Sequence, residues 1–328
     1  MIQLVSPAKL RRLGILGMNR RNISFIGSYN KRENYRLADN KLETKSAALS
    51  RGISVPELYG TIELQSQIRS MDQKLAGCDS FVIKPAQGSG GKGILVVTGR
   101  SGEGFIKSSG VEIDEREIRR HTSNILAGLY SLGGRNDKAM IEALIDFDPI
   151  LKDYTVEGVP DLRIIVFCGV PVMAMLRCAT LASDGKANLH QGAVGVGIDI
   201  GTGRSICAVQ HSRIVYQHPD TGIGFDDLCI PHWQQVLDLA ASCAGMTGLD
   251  YLGADVVLDR HGGPMLLELN ARPGLAIQVA NQTGLRTRLA DAAKIADLTD
   301  DQDEKIKLAR QQFTKSSRAV GQLNLPIL

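Results

Sequence analysis

The sequence predicts an α+β fold with two lobes, each built on a mostly antiparallel sheet with helices packed against it. Two stretches, residues 161–178 and 253–274, place apolar runs on both sides of a tight turn, which is typical of β-hairpins. A third stretch, residues 81–98, has strand-like residues before and after a glycine-rich loop. Segments with helical periodicity separate these hairpins, so strands and helices do not alternate regularly.

Composition indicates a cytoplasmic globular protein. At 328 residues and 43% hydrophobic content, the chain can bury a large core and divide into two or three lobes. The net charge of +3 is too small to indicate nucleic-acid binding, and the six cysteines, without a CxxC pair, indicate reduced thiols. The longest charge-free apolar stretch, residues 164–176, is too short to span a bilayer, and the N-terminus lacks a signal-peptide pattern.

Residues 1–38 are predicted to form a basic N-terminal arm. Within residues 1–45, ten Lys or Arg residues stand against three acidic residues, a local net charge of +7. A solvated basic surface is one interpretation. The arm also has too many apolar residues for a free tail, so we expect it to pack on the rest of the fold or across a homo-oligomer. Some basic residues would then face an anionic substrate: Arg20, Arg21, Lys31, Arg32 and Arg36.

Helices are predicted at several places along the chain from their apolar periodicity and their stop signals. The first begins at Asp39 and ends at Gly52, and the helix over residues 114–132 is expected to bury Leu129. The last helix, within a C-terminal tail of residues 291–328, is charged and is expected to be solvated. The other predicted helices cover residues 61–75, 231–246, 275–292 and 300–312.

The glycine-rich stretch FVIKPAQGSGGKGILVVT resembles a phosphate-binding flap. Gly88, Gly90 and Gly93 match G-x-G-x-x-G, but a strand follows where a dinucleotide-binding fold needs a helix, and no GK[ST] occurs. Protein kinases also use a glycine hairpin, but the chain has neither HRD nor DFG. Backbone N–H groups of such a loop can close over phosphates, with Lys84 reaching a phosphate oxygen. A glycine hairpin without a ligand is the alternative.

Charged residues also gather at strand ends. The 161–178 hairpin brings Asp161, Arg163 and Arg177 to one end, where they either pair with one another or serve a ligand. The strand over residues 140–145 contains Glu142 and is either a nucleotide hinge or an edge strand with one exposed acid.

Two histidines are weaker candidates. Residues 186–197 bring Asn188 and His190 into a turn before a glycine-rich strand. A single histidine in such a turn does not by itself indicate a general base, so the participation of His190 or of His232 in catalysis is left open.

The 253–274 hairpin carries the candidate metal site. If Asp259 and Pro264 close its turn, Asp255 lies directly opposite Glu268, and Asn270 shares the face of Glu268. Opposed carboxylates repel each other unless a hard cation such as Mg²⁺ binds both. The alternative is a surface hairpin with solvated acids.

Taken together, these segments resemble the ATP-grasp superfamily, in its alpha-L-glutamate ligase-like branch. The segments IPHWQQ at 230–235 and NARPGLAIQVANQTGL at 270–285 resemble a subgroup that is related to glutamate ligases or associated with sugar transfer. The resemblance rests on DNKLETK at 39–45, FVIKPAQGSGGKGI at 81–94, MIEALI at 140–145, DLRIIVF at 161–167, KANLHQG at 186–192, GADVVLD at 253–259 and LELNARPG at 267–274.

The resemblance implies a grasp domain over residues 39–290, in which two lobes grip ATP. The glycine-flap lobe would cover about residues 78–140, and the hinge and metal lobe about residues 141–290. Many relatives carry a complete domain before the first lysine that helps to bind substrate. Residues 1–38 are too few to form such a domain, so none is expected in this sequence. The poor match over residues 197–231 leaves the substrate pocket undefined.

The resemblance also assigns roles to residues. Asp255, Glu268 and Asn270 match Mg²⁺ ligands, for which Mn²⁺ could substitute, and Arg177 and Arg272 are the candidate catalytic residues. Residues implied in ATP binding are Lys41, Lys84, Gly88, Ser89, Gly90, Gly91, Gly93, Glu142, Ala143, Leu144, Asp161, Lys186 and Asn188.

The reaction implied is ATP-dependent ligation of a carboxylate to an amine through an acyl phosphate. The partners would be a small-molecule or peptide carboxylate, such as one that receives glutamate, and an amine co-substrate. An ATP-grasp kinase that phosphorylates without ligation, or a nucleotide-binding module without turnover, is the alternative.

Overall fold

The computed structural model describes residues 6–88, 90–102 and 104–314 and has the expected α+β architecture. The chain divides into two compact units. The flap unit comprises Asn40–Ser46 and Val55–Asp146, and the hairpin unit comprises Met1–Asp39, Ala47–Ser54 and Phe147–Leu328. Within the described ranges, no helix is both long and apolar enough to cross a lipid bilayer.

The flap unit is built on a six-stranded antiparallel sheet in the order β1-β6-β2-β3-β4-β5. The helix Glu115–Leu126 packs on one face over a core that includes Phe81, Ile83 and Ile125. Because side chains alternate along a strand, Lys84 projects to the opposite face of β2 from Ile83. The strands are β1 Leu58–Ile62, β2 Phe81–Pro85, β3 Leu95–Ser101, β4 Gly104–Lys107, β5 Glu112–Ile113 and β6 Ala139–Glu142.

Two helix predictions in this unit are corrected. Residues 61–75 do not form one helix: β1 is followed by the 3₁₀ segment Gln65–Ser70 and the short helix Met71–Leu75. Strand pairing with β6 takes Thr61 and Ile62 out of the predicted helix, because Ile62 lies opposite Ala139 in the sheet. The later helix ends at Leu126, and Leu129 beyond it is 66% exposed.

The hairpin unit contains a seven-stranded antiparallel sheet in the order β11-β10-β9-β8-β7-β12-β13. The helices Trp233–Thr247, Leu285–Leu298 and Gln302–Phe313 pack against its central strands. Trp233, the first residue of the first of these helices, is buried. The strands are β7 Asp161–Phe167, β8 Val170–Cys178, β9 Val194–Ile198, β10 Ser205–Gln210, β11 Arg213–Val215, β12 Tyr251–Asp259 and β13 Gly263–Asn270.

Two further helix predictions are corrected here. The predicted helix over residues 275–292 is split into Ile277–Ala280 and Leu285–Leu298, because Gln282 adopts a left-handed backbone with φ of 49°. The terminal helix is not solvated on all sides, since Ile306 and Phe313 are buried. The remaining short helices are Pro7–Arg12, Met18–Arg20, Gly27–Tyr29, Tyr35–Asp39 and Lys41–Leu49, and residues Arg21–Ile26 are π-helical.

The basic arm is an integral part of the hairpin unit, which confirms that it packs on its own fold. Leu16 and Ile26 are buried, and the ring of Phe25 packs edge-on against Phe167 at 5.6 Å between centroids. The side-chain amide of Asn30 donates to the backbone oxygen of Tyr251 at 2.6 Å and accepts from its backbone nitrogen at 2.8 Å. The arm thereby extends the core of this unit.

The predicted opposition of two carboxylates is confirmed, although the turn that produces it differs. Asp259 pairs with Gly263, not with Pro264, so the turn is one residue tighter than predicted. A β-bulge between Asp255 and Val256 takes up the difference and places Asp255 opposite Glu268.

Candidate active site

A row of charged side chains crosses one face of the hairpin unit's sheet. Asp161 on β7 lies opposite Arg177 on β8, and Arg163, two residues along β7, lies opposite Asp255 on β12. Asp255 in turn lies opposite Glu268 on β13. Because cross-strand partners share a face, all five side chains project to the same side of the sheet.

Asp255 is the centre of this row and is fully buried. Arg163 donates two hydrogen bonds to it, from Nε to Oδ1 and from Nη2 to Oδ2, the latter at 2.6 Å. Arg177 donates from Nη2 to Oδ2 of Asp255 at 2.8 Å and from Nε to Oδ1 of Asp161 at 2.5 Å. Both carboxylate oxygens of Asp255 therefore already accept hydrogen bonds from arginines.

The pKa values of this cluster follow from burial and from its alternating charges. Burial alone would raise the pKa of Asp255, but the charges of Arg163 and Arg177 lower it. Burial and the neighbouring Asp255 raise the pKa of Asp161 to about 7, although Arg177 opposes the rise. Burial would lower the pKa of Arg177, yet Asp161 and Asp255, with a smaller contribution from Glu268, raise it. Arg177 therefore keeps its charge.

The predicted magnesium ligands divide into two groups. Glu268 and Asn270 lie half-buried on β13, and their oxygens suit a hard cation by donor type. Asp255 offers the same donor type, but three of its roughly four acceptor positions are already taken by arginine N–H groups, which leaves it little capacity for a metal. Within the described ranges, no group of three His, Cys, Asp or Glu residues is arranged to hold a metal ion.

Asp255 also has a structural role in this unit. Because Asp255 is the carboxylate that pairs with the buried Arg163, its neutralisation leaves that guanidinium group without its counter-charge, whereas Arg177 keeps Asp161.

The turn after β13 is held by the N-terminal arm. Arg272 stacks its guanidinium on the ring of Tyr35, 4.9 Å from the centroid, and donates its backbone N–H to Oδ1 of Asn270 at 2.8 Å. Arg21 of the arm donates to the backbone oxygen of Pro273 at 2.7 Å. Arg272 is thus placed by stacking, and Arg21, which was considered as a substrate contact, is buried beneath this turn.

Lys186 and Asn188 have local partners in the hairpin unit. Lys186 pairs with the exposed Asp184 at 2.7 Å. The side-chain oxygen of Asn188 accepts from the backbone nitrogen of His190 at 3.0 Å and caps a short 3₁₀ turn. His190 and His232 are both exposed.

In the flap unit, the glycine loop begins beside the first predicted lysine. Nζ of Lys41 donates to the backbone oxygen of Gly88 at 2.6 Å. Gly90, Gly91 and Gly93 have left-handed φ angles of 65°, 74° and 74°, which explains why glycine is used there. Ser89 lies outside the described residues.

Asp137, which the sequence did not single out, anchors the loop. Its carboxylate accepts the backbone N–H of Gln87 at 3.0 Å and the hydroxyl of Ser131 at 2.7 Å. At the far end of the loop, Nε2 of His121 lies 2.9 Å from the backbone oxygen of Gly93. Burial lowers the pKa of His121, so the imidazole is neutral at pH 7.

A second buried charge cluster lies on the face of the flap unit's sheet that carries Lys84. Nζ of Lys84 lies 2.5 Å from Oε2 of Glu142, and Nζ of Lys45 lies 2.9 Å from Oε1. The backbone N–H of Ala143 donates to the backbone oxygen of Glu57 at 2.9 Å, and Leu144 is half-buried. Lys45 was missed from the sequence, although its position four residues after Lys41 places it on the same helix face.

Comparisons with known proteins place the chain in a family. Residues 20–294 match the family described as sugar-transfer associated ATP-grasp. No curated protein matches the sequence.

Several solved ATP-grasp ligases resemble the chain distantly. A complex of the ATP-grasp ligase PsnB with a minimal precursor is 14% identical over 82% of this chain and 63% of that chain, with a TM-score of 0.43. D-cycloserine synthetase DcsG is 14% identical over 80% and 71% of the two chains, with a TM-score of 0.45. D-alanyl-alanine synthetase A from Vibrio cholerae O1 biovar eltor str. N16961 is 12% identical over 86% of this chain and 66% of that chain, with a TM-score of 0.43.

The chain spans less than two thirds of the PsnB chain, and at these TM-scores the likenesses transfer neither a substrate nor a residue role. The family match stands by itself, because it covers most of the sequence and includes both charge clusters. The chain belongs to the sugar-transfer associated ATP-grasp family.

Proposed function

We propose that this protein is an ATP-dependent ligase that joins a carboxylate to an amine through an acyl phosphate. Family membership supports the use of ATP. The observation that carries the proposal is the charged row on the hairpin unit's sheet, where Arg163 and Arg177 stand beside Asp255 and Glu268. Such a row can neutralise a transferring phosphoryl group and can also supply oxygen ligands to a cation.

In the proposed reaction, a carboxylate oxygen attacks the γ-phosphorus of ATP and ADP leaves with the electrons of the broken P–O bond. The amine nitrogen then attacks the acyl carbon, inorganic phosphate leaves, and the amine loses a proton to give the amide. Mg²⁺, or Mn²⁺ in its place, would offset the negative charge on the phosphates. Glu268 and Asn270 are its proposed ligands, with Asp255 as a third.

The chain's own residues have separate proposed roles. In the flap unit, Lys41, Lys84 and the glycine loop would bind phosphate oxygens, and residues 142–144 would contact the base. In the hairpin unit, Arg177 would stabilise charge in the transition state, and Arg272 would bind a substrate carboxylate. Asp161, Lys186 and Asn188 would contact the nucleotide.

The test is to measure ADP release with pools of amino acids and short peptides, supplied with and without an amine. A ligase releases ADP only when a carboxylate and an amine are both present, or when hydroxylamine replaces the amine and traps a hydroxamate. Carboxylate labelled with ¹⁸O should pass its label to inorganic phosphate. A stable phosphorylated product would indicate a kinase, and nucleotide binding without ADP release would indicate a module without turnover.

A further inference from the structure

The cluster on the flap unit's sheet contains two lysines and one carboxylate. The side chains of Lys45, Lys84 and Glu142 are 8%, 7% and 3% exposed. Each oxygen of Glu142 has its own cation, Lys45 on Oε1 and Lys84 on Oε2. One lysine would suffice to neutralise the carboxylate, so the second needs an explanation.

The two lysines are not equivalent in their surroundings. Nζ of Lys45 also donates to the backbone oxygen of Pro56, and this second contact fixes it beside Glu142. Lys84 is the penultimate residue of β2, just before the glycine loop, and Pro85 packs so closely on Gly88 that a side chain on Gly88 would meet the proline ring. Lys84 is therefore the cation next to the glycine loop, and Lys45 is the cation that is also bonded to Pro56.

Glu142 stays ionised in this environment. Burial works to raise its pKa, but the charges of Lys84 and Lys45 outweigh burial and lower it. A buried carboxylate that loses its only cation is strongly destabilised, so a lone lysine paired with Glu142 could not leave it for a ligand. With two lysines present, one can leave while the other keeps the carboxylate neutralised.

We propose that Lys45 is a positioning residue that holds Glu142 and so releases Lys84 to bind a nucleotide phosphate. The inference rests on the proposed function only in giving Lys84 a phosphate to bind. Lys45 itself stays on Glu142 and Pro56 and does not contact the nucleotide.

The experiment compares ATP with adenosine, which lacks phosphates, by calorimetry or by displacement of a fluorescent ATP analogue. In Lys45→Met, Lys84 becomes the only cation of Glu142 and is retained there. The loss of one charge-assisted contact should raise the Kd for ATP by about 10- to 100-fold. The Kd for adenosine should change little, whereas a general structural defect would weaken both ligands.

Rescue separates this role from direct phosphate binding. In Lys45→Met/Glu142→Gln, Lys84 is no longer held by a charge, so the preference for ATP over adenosine should return. The control is Lys138→Met, which removes a lysine from a half-exposed pair with Glu63 in the same unit and should leave both affinities unchanged.

Glu142→Gln alone gives an independent measurement if Lys45→Met does not fold. This variant should keep or increase the preference for ATP over adenosine, because Lys84 no longer has to leave a carboxylate. A lower preference in this variant, or an unrescued loss in the double variant, would overturn the proposal. If the wild-type protein binds no ATP at all, the proposed function itself is wrong. This outcome differs from a lower ATP preference in Glu142→Gln and from an unrescued loss in the double variant, which overturn only the role of Lys45.

Discussion

At the residue scale, the two carboxylates opposed in the β12–β13 hairpin have different environments. Asp255 is fully buried with two arginines, whereas Glu268 is half-buried at the edge strand of the sheet. We predict that Asp255→Asn lowers the free energy of unfolding by about 3–5 kcal/mol, since it leaves buried guanidinium charge uncompensated. Glu268→Gln should change it by less than about 1 kcal/mol. Urea unfolding at pH 7 measures both.

Arg163→Met in the Asp255→Asn background is the control for this mechanism. Removing the guanidinium group of Arg163 should recover part of the lost stability, because its ion pair is with Asp255 and it would otherwise stay buried beside a neutral amide. Equal stability of the Asp255→Asn and Glu268→Gln proteins would show that the arginine contacts contribute nothing.

His121 gives the flap unit a pH dependence with a definite sign. Burial lowers its pKa below the unfolded value of 6.5, so the unfolded chain binds the proton more tightly than the folded one. His121 is neutral in both states well above pH 6.5 and adds no pH dependence there. As the pH falls below 6.5, protonation favours the unfolded chain and stability is lost.

We predict that His121→Gln reduces the fall in melting temperature between pH 7 and pH 5. Glutamine keeps a donor for the oxygen of Gly93 but does not titrate. Comparing the variant with wild type cancels the contribution of Asp161, whose raised pKa acts in the opposite direction over part of this range. Parallel pH profiles for the two proteins would rule out a titrating role for His121.

At the scale of elements, hairpins were the part of the fold that the sequence predicted best. Alternating apolar residues and a tight turn are local signals, so the β7–β8 and β12–β13 hairpins were found with nearly correct limits. The opposition of Asp255 and Glu268 was also found, although the bulge that produces it was not.

Pairing between distant strands could not be predicted from the sequence. Arg163 and Asp255 are 92 residues apart in the chain and meet only because β7 pairs with β12. Nothing local to either residue indicates that contact. The pairing of β1 with β6, which removes residues 61 and 62 from the predicted helix over residues 61–75, is non-local in the same way. Lys45 and Glu142 likewise come together only through the tertiary structure of the flap unit.

The glycine loop offers a prediction that compares two of its own glycines. Gly93 has a left-handed backbone, and a methyl group on it would lie 2.5 Å from the ring of Tyr130. Gly90 has a similar backbone but no heavy atom near the added methyl. Gly93→Ala should therefore cost about 1–3 kcal/mol more than Gly90→Ala, which bears only the backbone strain. Thermal unfolding of the two variants measures the difference, and equal losses would contradict the close packing of Tyr130.

At the scale of the whole molecule, both ends of the described chain are built into the hairpin unit. At the C-terminal end, Arg288 is buried and donates to the backbone oxygens of Val172 and Phe313 at 3.0 and 3.2 Å, which ties the last helix to β8. At the N-terminal end, the arm supplies Leu16, Phe25 and Ile26 to the core. Removing the arm would therefore uncover apolar core, so a deletion cannot separate substrate binding from folding.

Two adjacent arginines of the arm allow a sharper test than a deletion. Arg21 is 8% exposed and donates to the backbone oxygen of Pro273, whereas its neighbour Arg20 is exposed. We predict that Arg21→Met lowers the free energy of unfolding by about 1.5–3 kcal/mol, because a charge-assisted hydrogen bond to a buried carbonyl is lost. Arg20→Met removes the same charge and should be nearly neutral in urea unfolding. Equal effects of the two variants would mean that the arm acts through its overall charge and not by fixing the turn that follows Asn270.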